Sequence, residues 1–440
     1  EKALVDTLTN HLGNFGVTFT KGDDGVYTVA IPGAPVEGFM TVADGYAYVT
    51  ARDKGPIAAG KRLAAAKLLA GNENALVAAT LRLDTIDPNL KQIALGALEN
   101  QKEEAKNRKV GSELPAQKKL REQTIDFAFQ RFQSVLTDGK AVDFELILDR
   151  KTDDLTAQLT MTAKAGSPLA QEIAGVSGRT SRFGPLAGAA AQAALNVAVP
   201  PTLRDALASA LDEGFKQEQA RQKDAAKRDL AKKVYDTLAP TLKAGQLDAF
   251  GGLAGPDAGG KYTLFGGIKL VDAPAVEKLA RDLVPQIPDA KAKEAIKLDA
   301  ETVNGVKVHK VVPTDLDAEA KRIFGPDSTA LIAFPQDAVV AAFGADPGGV
   351  LRQVLAGTGH AGGPFRGEAS VSKLAGLDKD HPAAARKAAQ EAFGSPPRGD
   401  VIRVTVEGGP ALKVRASMKG QVIKFGAKMD EATKGGKSEQ

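Results

Sequence analysis

GFMTVADGYAYVTARDKGPIAAGKRL, residues Gly38–Leu63, reads as a strand, a tight Asp44-Gly45 turn, a second strand and a helix opened by Pro56. Asp and Gly tolerate the positive φ that a two-residue type I′ hairpin needs. Tyr46, Tyr48 and Val49 are strand formers. Pro suits the first turn of a helix, where no backbone N–H is required. A variant, ALIAFPQDAVVAAFGADPGGVLRQVL, recurs at Ala330–Leu355. Aligning Pro56 with Pro347 puts Lys61 on Arg352 and Leu63 on Val354. Upstream, GVYTVAIP (Gly25–Pro32) echoes GVKVHKVVP (Gly305–Pro313), with an insertion around Asp315–Phe324. The expectation is an internal duplication carried by element order more than by identity.

A second recurrence supports this. Leu155–Ile173 and Lys261–Leu279 both run strand, small turn, Pro, helix. The recurring unit is a strand, one or two long helices, an antiparallel hairpin and a short helix. It falls near residues 75–176, 195–284 and 365–428, the last without its closing helix. Such a unit predicts an α+β architecture of curved antiparallel sheets, each covered by amphipathic helices. We expect two pseudo-equivalent lobes, 1–185 and 186–429, and a polar tail, 430–440.

Periodicity fills in the rest. Ala3–Leu12 and Glu113–Thr137 have helical spacing, the second with Leu120, Ile125, Phe129, Phe132 and Leu136 on one face. Gly16–Pro32 reads as a hairpin, Asn74–Ile86 as a strand, and Asp87-Pro88 as the start of a helix to about Lys109. Phe144, Leu146 and Leu148 alternate on one arm of a hairpin; Leu155, Ala157, Leu159 and Met161 alternate on the other. Strict alternation means one buried and one wet face. Leu195–Val199 reads as a strand, and the Ala/Gly-rich Phe183–Ala194 resists assignment. The last hairpin is expected over Val401–Lys428.

A chain of 440 residues has room for about two to three domains. Apolar and charged contents of 43% and 25% are ordinary for a globular protein. The net charge of +4 is spread among interspersed signs, with no basic stripe for nucleic acid. Without Cys there is no disulfide framework, thiolate zinc site or thiol nucleophile. No apolar run reaches the ~18 residues of a transmembrane helix. The opening Glu1-Lys2-Ala3 lacks Met, as expected of a chain trimmed at a domain edge or by removal of an export signal.

The chemistry-bearing residues form no local site. His11, His309, His360 and His381 are mutually too far apart in sequence for a helical metal pair. His360 lies in the Gly-rich stretch Gly357–Gly363. A phosphate loop joins a strand to a helix, whereas this stretch follows a helix and reads as a connector. Ser167, Ser181 and Ser395 have no local base. Asp23-Asp24, Asp153-Asp154 and Asp378–Asp380 fall in turns. No Trp is present to line a carbohydrate cleft. The expectation is no catalytic, cofactor-binding or metal-binding residue. Small strand residues (Ala78, Ala79, Gly266, Gly267, Ala341, Ala342) either leave room for an apolar ligand or let helices pack close.

The pattern resembles a diffuse group of uncharacterised exported bacterial proteins, Ala/Gly/Lys-rich, on the strength of GFMTVADGYAYVTARDKGP, AALNVAVPPTLRDAL and the Leu155–Ile173 hairpin. The resemblance implies an extracytoplasmic, non-catalytic binding or scaffold protein and brings no site residues. Its rivals are a carrier of an apolar, lipid-like ligand held between sheet and helix, and a hydrolase with an unrecognised site. The expected partner is an apolar small molecule or another protein, and not nucleic acid.

Overall fold

In the computed structural model, residues 2–13, 16–32, 36–62, 64, 75–108, 111, 113–357 and 359–435 are described. The contacts divide the chain into two units, Glu1–Ala75 and Leu76–Gln440.

The first unit holds α1 (Lys2–Leu12) and a four-stranded meander, β1 (Thr18–Lys21), β2 (Tyr27–Ala30), β3 (Gly38–Ala43) and β4 (Tyr46–Ala51). Val5 of α1 packs on Tyr27 and Met40, supported by Leu8, Phe19 and Val29. Asp44 and Gly45 both take positive φ (54° and 81°), as the type I′ turn requires. The helix expected from Pro56 does not propagate. Gly55–Ile57 makes one 3-10 turn, and Ala58 leaves it in extended geometry, ψ 150°. Ile57 is buried by that single turn. Most of the expected helix beyond residue 62 lies outside the described residues.

The second unit begins with β5 (Ala75–Arg82), α2 (Pro88–Asn107) and α3 (Pro115–Asp138). Asp87 caps α2 by accepting from the Asn89 N–H at 2.8 Å. Then come the hairpin β6 (Gly139–Asp149) and β7 (Asp154–Ala163), and α4 (Pro168–Gly175), capped by Ser167. The short β8 (Arg179–Ser181) precedes β9 (Ala189–Ala198), α5 (Pro201–Arg221), α6 (Ala225–Lys243), β10 (Gln246–Ala254), β11 (Thr263–Lys269) and α7 (Ala273–Leu283). Next are α8 (Ala290–Glu294), β12 (Ile296–Val303), β13 (Val306–Val311), α9 (Ala318–Phe324), β14 (Thr329–Ala333), β15 (Ala338–Gly344) and α10 (Pro347–Ala356). The chain closes with β16 (His360–Gly362), β17 (Phe365–Ser370), α11 (Val371–Leu374), α12 (Pro382–Phe393), β18 (Val401–Glu407), β19 (Leu412–Lys419) and α13 (Gly420–Gly435).

Thirteen strands join one antiparallel sheet in the order β12-β13-β14-β15-β11-β10-β9-β17-β18-β19-β7-β6-β5; β16 and β8 form a separate ribbon. This sheet runs across the 185/186 division expected from the sequence, because C-terminal β19 pairs with β7. Two further expectations are corrected. The Ala/Gly-rich run before Leu195 is already strand, held by ladder pairing with β10 on one side and β17 on the other. The last hairpin ends at Lys419, where the apolar spacing of Val422, Phe425 and Met429 turns the presumed tail into a helix that packs on Phe393.

One face of the β10 to β15 half is sealed. Phe265, Leu331, Val340 and Ala342 are buried against Val350 and Leu351 of α10. Strand β15 shows the pleat directly, with burial alternating residue by residue.

Candidate functional site

The opposite face of this sheet is apolar along its length and is not sealed. Ladder partners share a face, so the register gives continuous rows. One row runs Leu146, Ala157, Ala416, Val404, Gly367, Ala193, Gly251, Gly266, Ala341 and Ile332 to His309. From Ala157 to Ala341 every member but Val404 is Ala or Gly. The row on one side carries Phe144, Leu159, Val414, Val406, Phe365, Leu195 and Ile268. The row on the other carries Leu148, Leu155, Met418, Leu253, Leu264 and Phe343. Small residues between two rows of large ones make a trough across the strands.

Burial decides what the small residues are for. If helices packed down on them, they would be buried. Instead none from Ala157 to Ala341 is buried, and Ala193 is exposed. The rims are open too: Phe144, Leu159 and Leu264 are 40%, 42% and 49% exposed. The sequence pairs Gly266-Gly267 and Ala341-Ala342 are split by the pleat. Gly266 and Ala341 face the trough, while Ala342 lies in the sealed core. Ala78 and Ala79 of β5 are exposed.

Helices α2, α3, α5, α6 and α7 pack side by side in a row. Their end, α7, sits on the trough side, since Glu277 and Arg281 reach Asp299 and His309. The apolar side chains of this row are poorly sealed: Ile93, Phe132 and Leu242 are exposed, and α3, α5 and α6 bury one Ala each.

At that end Glu277, Asp299 and His309 bring three potential ligand atoms within 4.8 Å. The donor chemistry does not suit a cation. Arg281 donates to Glu277 Oε1 at 3.0 Å and to Asp299 Oδ2 at 2.9 Å. The Asp299 N–H donates to His309 Nδ1 at 3.2 Å, and Nε2 lies 3.3 Å from Glu277 Oε1 without a hydrogen-bond partner. One guanidinium thus answers both carboxylates, and His309 Nδ1 is already engaged by the Asp299 N–H. Hydrogen bonding to Arg281 holds the Asp299 carboxyl at about 2, below its ordinary 3.8. A depressed carboxyl adds stability above its ordinary value, and that stability drains as pH falls from about 4 toward 2. Replacing Arg281 by Met should therefore flatten the acid limb of thermal unfolding in that window. A limb identical to the parent's would show the pair to be idle.

The other candidates from sequence are spread apart. His381 N-caps α12 without a side-chain bond, and His11 lies in α1. His360 forms part of the ribbon, opposite Ser181, so the Gly-rich stretch is partly strand; Thr358 lies outside the described residues. The Ser181 hydroxyl donates to Asp248 Oδ1 at 2.6 Å and accepts from the Phe183 N–H at 3.1 Å, which commits it to the core. Asp24 pairs with Lys54, and Asp154 with Lys419 at 2.8 Å. Asp400 accepts from the hydroxyls of Ser370 and Ser372. Burial pushes its carboxyl up, but those hydroxyls hold it below the ordinary value.

No family model, curated protein or solved structure matches this chain. Among the described residues, no helix is long and apolar enough to cross a membrane.

Proposed function

We propose that this is a non-catalytic binding protein that carries an elongated apolar molecule, of acyl-chain type, along the Ala/Gly trough. The observation behind it is that trough and rims stay open although every rim residue is apolar. At ~25 cal/mol per Å2, leaving such a face to water is unfavourable, and a ligand that covers it recovers that free energy. The trough crosses eight strands from β7 to β15. At ~4.8 Å per strand spacing that is about 34 Å, long enough for one acyl chain, which spans about half of the ~30 Å bilayer core, to lie along it fully extended. A scaffold role for the same face is the second reading, favoured by exposed Ile93 and Phe132 on the helical row.

An extracytoplasmic location belongs to this proposal, supported by the resemblance to exported proteins. So does a modular origin. Two stretches share one order of elements, β5-α2-α3-β6-β7-α4 and β9-α5-α6-β10-β11-α7, and β17 to α13 follows a similar one.

Native mass spectrometry and organic extraction of protein made in its own host should find bound lipid. Ala193→Phe should keep the fold, because Ala193 is exposed. It should cut uptake of a fluorescent fatty acid at least about tenfold, since a tenfold loss needs only ~1.4 kcal/mol. Lipid-free native protein that also takes up no fatty acid would sink the carrier and leave the scaffold.

A further inference from the structure

On the other face of the sheet, the β8·β16 ribbon borders a cavity of about 210 Å3. That is below the ~300–1,000 Å3 of pockets for drug-sized ligands, so its occupant is small. Register places its polar groups. Arg366 lies between Thr405 of β18 and Ala194 of β9; Asn196 and Glu407 lie one pleat further along the same face. Phe183 supplies an apolar wall on this face, while Phe365 and Val406 border the cavity from positions whose side chains face the trough.

Three of these polar side chains lack a partner. Asn196 is 3% exposed, yet its Oδ1 has no hydrogen-bond partner. Such buried amides are almost always satisfied, so an orphan calls for a ligand or water. Among the described residues, no carboxylate pairs with the half-buried Arg366; Glu407 is exposed at the edge of the cavity and has no cationic partner there. A water could answer Asn196, but it would leave the half-buried Arg366 without an anion.

We propose that this cavity binds a free α-amino acid with an apolar side chain. The carboxylate meets the planar fork of Arg366, which matches it bidentately. The ammonium lies between Glu407 and the Asn196 carbonyl, and the side chain lies against Phe183. A zwitterion is the charge class that answers the half-buried Arg366 and the orphaned Asn196 carbonyl at once, with Glu407 at the edge of the cavity. Its three polar residues lie on the sheet face opposite the trough, although Phe365 and Val406 border both.

Isothermal titration of the full chain with L-phenylalanine, L-leucine and L-valine tests it, with phenethylamine and 3-phenylpropanoate as analogues lacking one charge. At least one amino acid should bind, and L-phenylalanine at least about tenfold tighter than either analogue. Arg366→Gln should erase the preference over phenethylamine, and Glu407→Gln the preference over 3-phenylpropanoate. Asn196→Leu should weaken amino-acid binding while leaving the thermal midpoint unchanged or higher, because it removes an orphaned polar group. All three variants should keep the parent's fatty-acid uptake, so failure here is separable from failure of the trough. The proposal is overturned if no amino acid binds at ~10 mM, or if both analogues bind as well as L-phenylalanine.

Discussion

Gly344→Ala is expected to destabilise the second unit by more than about 4 kcal/mol, read as the loss of urea midpoint at constant slope. Gly344 ends β15 at φ +139°, a conformation L side chains rarely adopt. That alone costs ~1–3 kcal/mol. A Cβ there would also fall on the Tyr262 carbonyl oxygen and within 2.8 Å of Thr263 Cα, both backbone atoms that cannot swing aside. Relief requires β15 to part from β11. That parting breaks the Ala345 N–H bond to Tyr262 O and the Asp346 N–H bond to Thr263 Oγ1, 2.9 Å. Asp346 caps α10, so Val350 and Leu351 lose their seat in the core. Gly305→Ala is the control. Gly305 also has positive φ, but nothing lies within 4 Å of its Cβ position, so only ~1 kcal/mol is expected. Equal losses for the two variants would mean that the β11–β15 contact is not as close as described.

Asp248→Ala should cost about 3–5 kcal/mol. The residue is 1% exposed on β10. Its Oδ1 accepts from the Ser181 hydroxyl and its Oδ2 from the Arg182 N–H, each at 2.6 Å. Removing the carboxylate strands two buried donors, at ~1–3 kcal/mol each, and leaves a void. The bonds also fix the segment that stacks Phe183 on Phe250, with ring centroids 4.4 Å apart. Phe183 walls the small cavity, so the variant should bind L-phenylalanine more weakly as well. Ser181→Ala, which removes one donor to Asp248 and the acceptor of the Phe183 N–H but keeps the Arg182 bond, should cost less, ~1–3 kcal/mol. A thermal midpoint for Asp248→Ala at or above that of Ser181→Ala would show that the carboxylate does not anchor this segment.

Local chemistry made much of the fold legible. Pro88, Pro168, Pro201, Pro347 and Pro382 each begin a helix, as a residue without an N–H should. Pro56 does not begin an α-helix, because one turn already buries Ile57 and the chain then turns extended at Ala58. The strand before Leu195 was hidden because Ala and Gly carry weak β-propensity, which ladder pairing with β10 and β17 overrides. Of the small cavity, only Ser181 and His360 stood out in the sequence. Asn196 offers one signal, a lone amide inside the otherwise apolar Leu195–Val199, while Arg366 and Glu407 look like ordinary surface charges.

What the sequence by itself determined is the set of pieces: hairpins from period-two alternation, helices from caps and prolines, and the absence of any local reactive motif. Only the tertiary structure decided that β17 lies between β9 and β18, and that β19 lies beside β7. Those pairings set Gly367 next to Ala193 and Ala416 next to Ala157, and so create the trough. They also bring Arg366 and Glu407 to Asn196. The physical reason is that a strand's own alternation says which residues share a face. Its ladder partner, hundreds of positions away, is selected by packing and main-chain hydrogen bonds that no local pattern records.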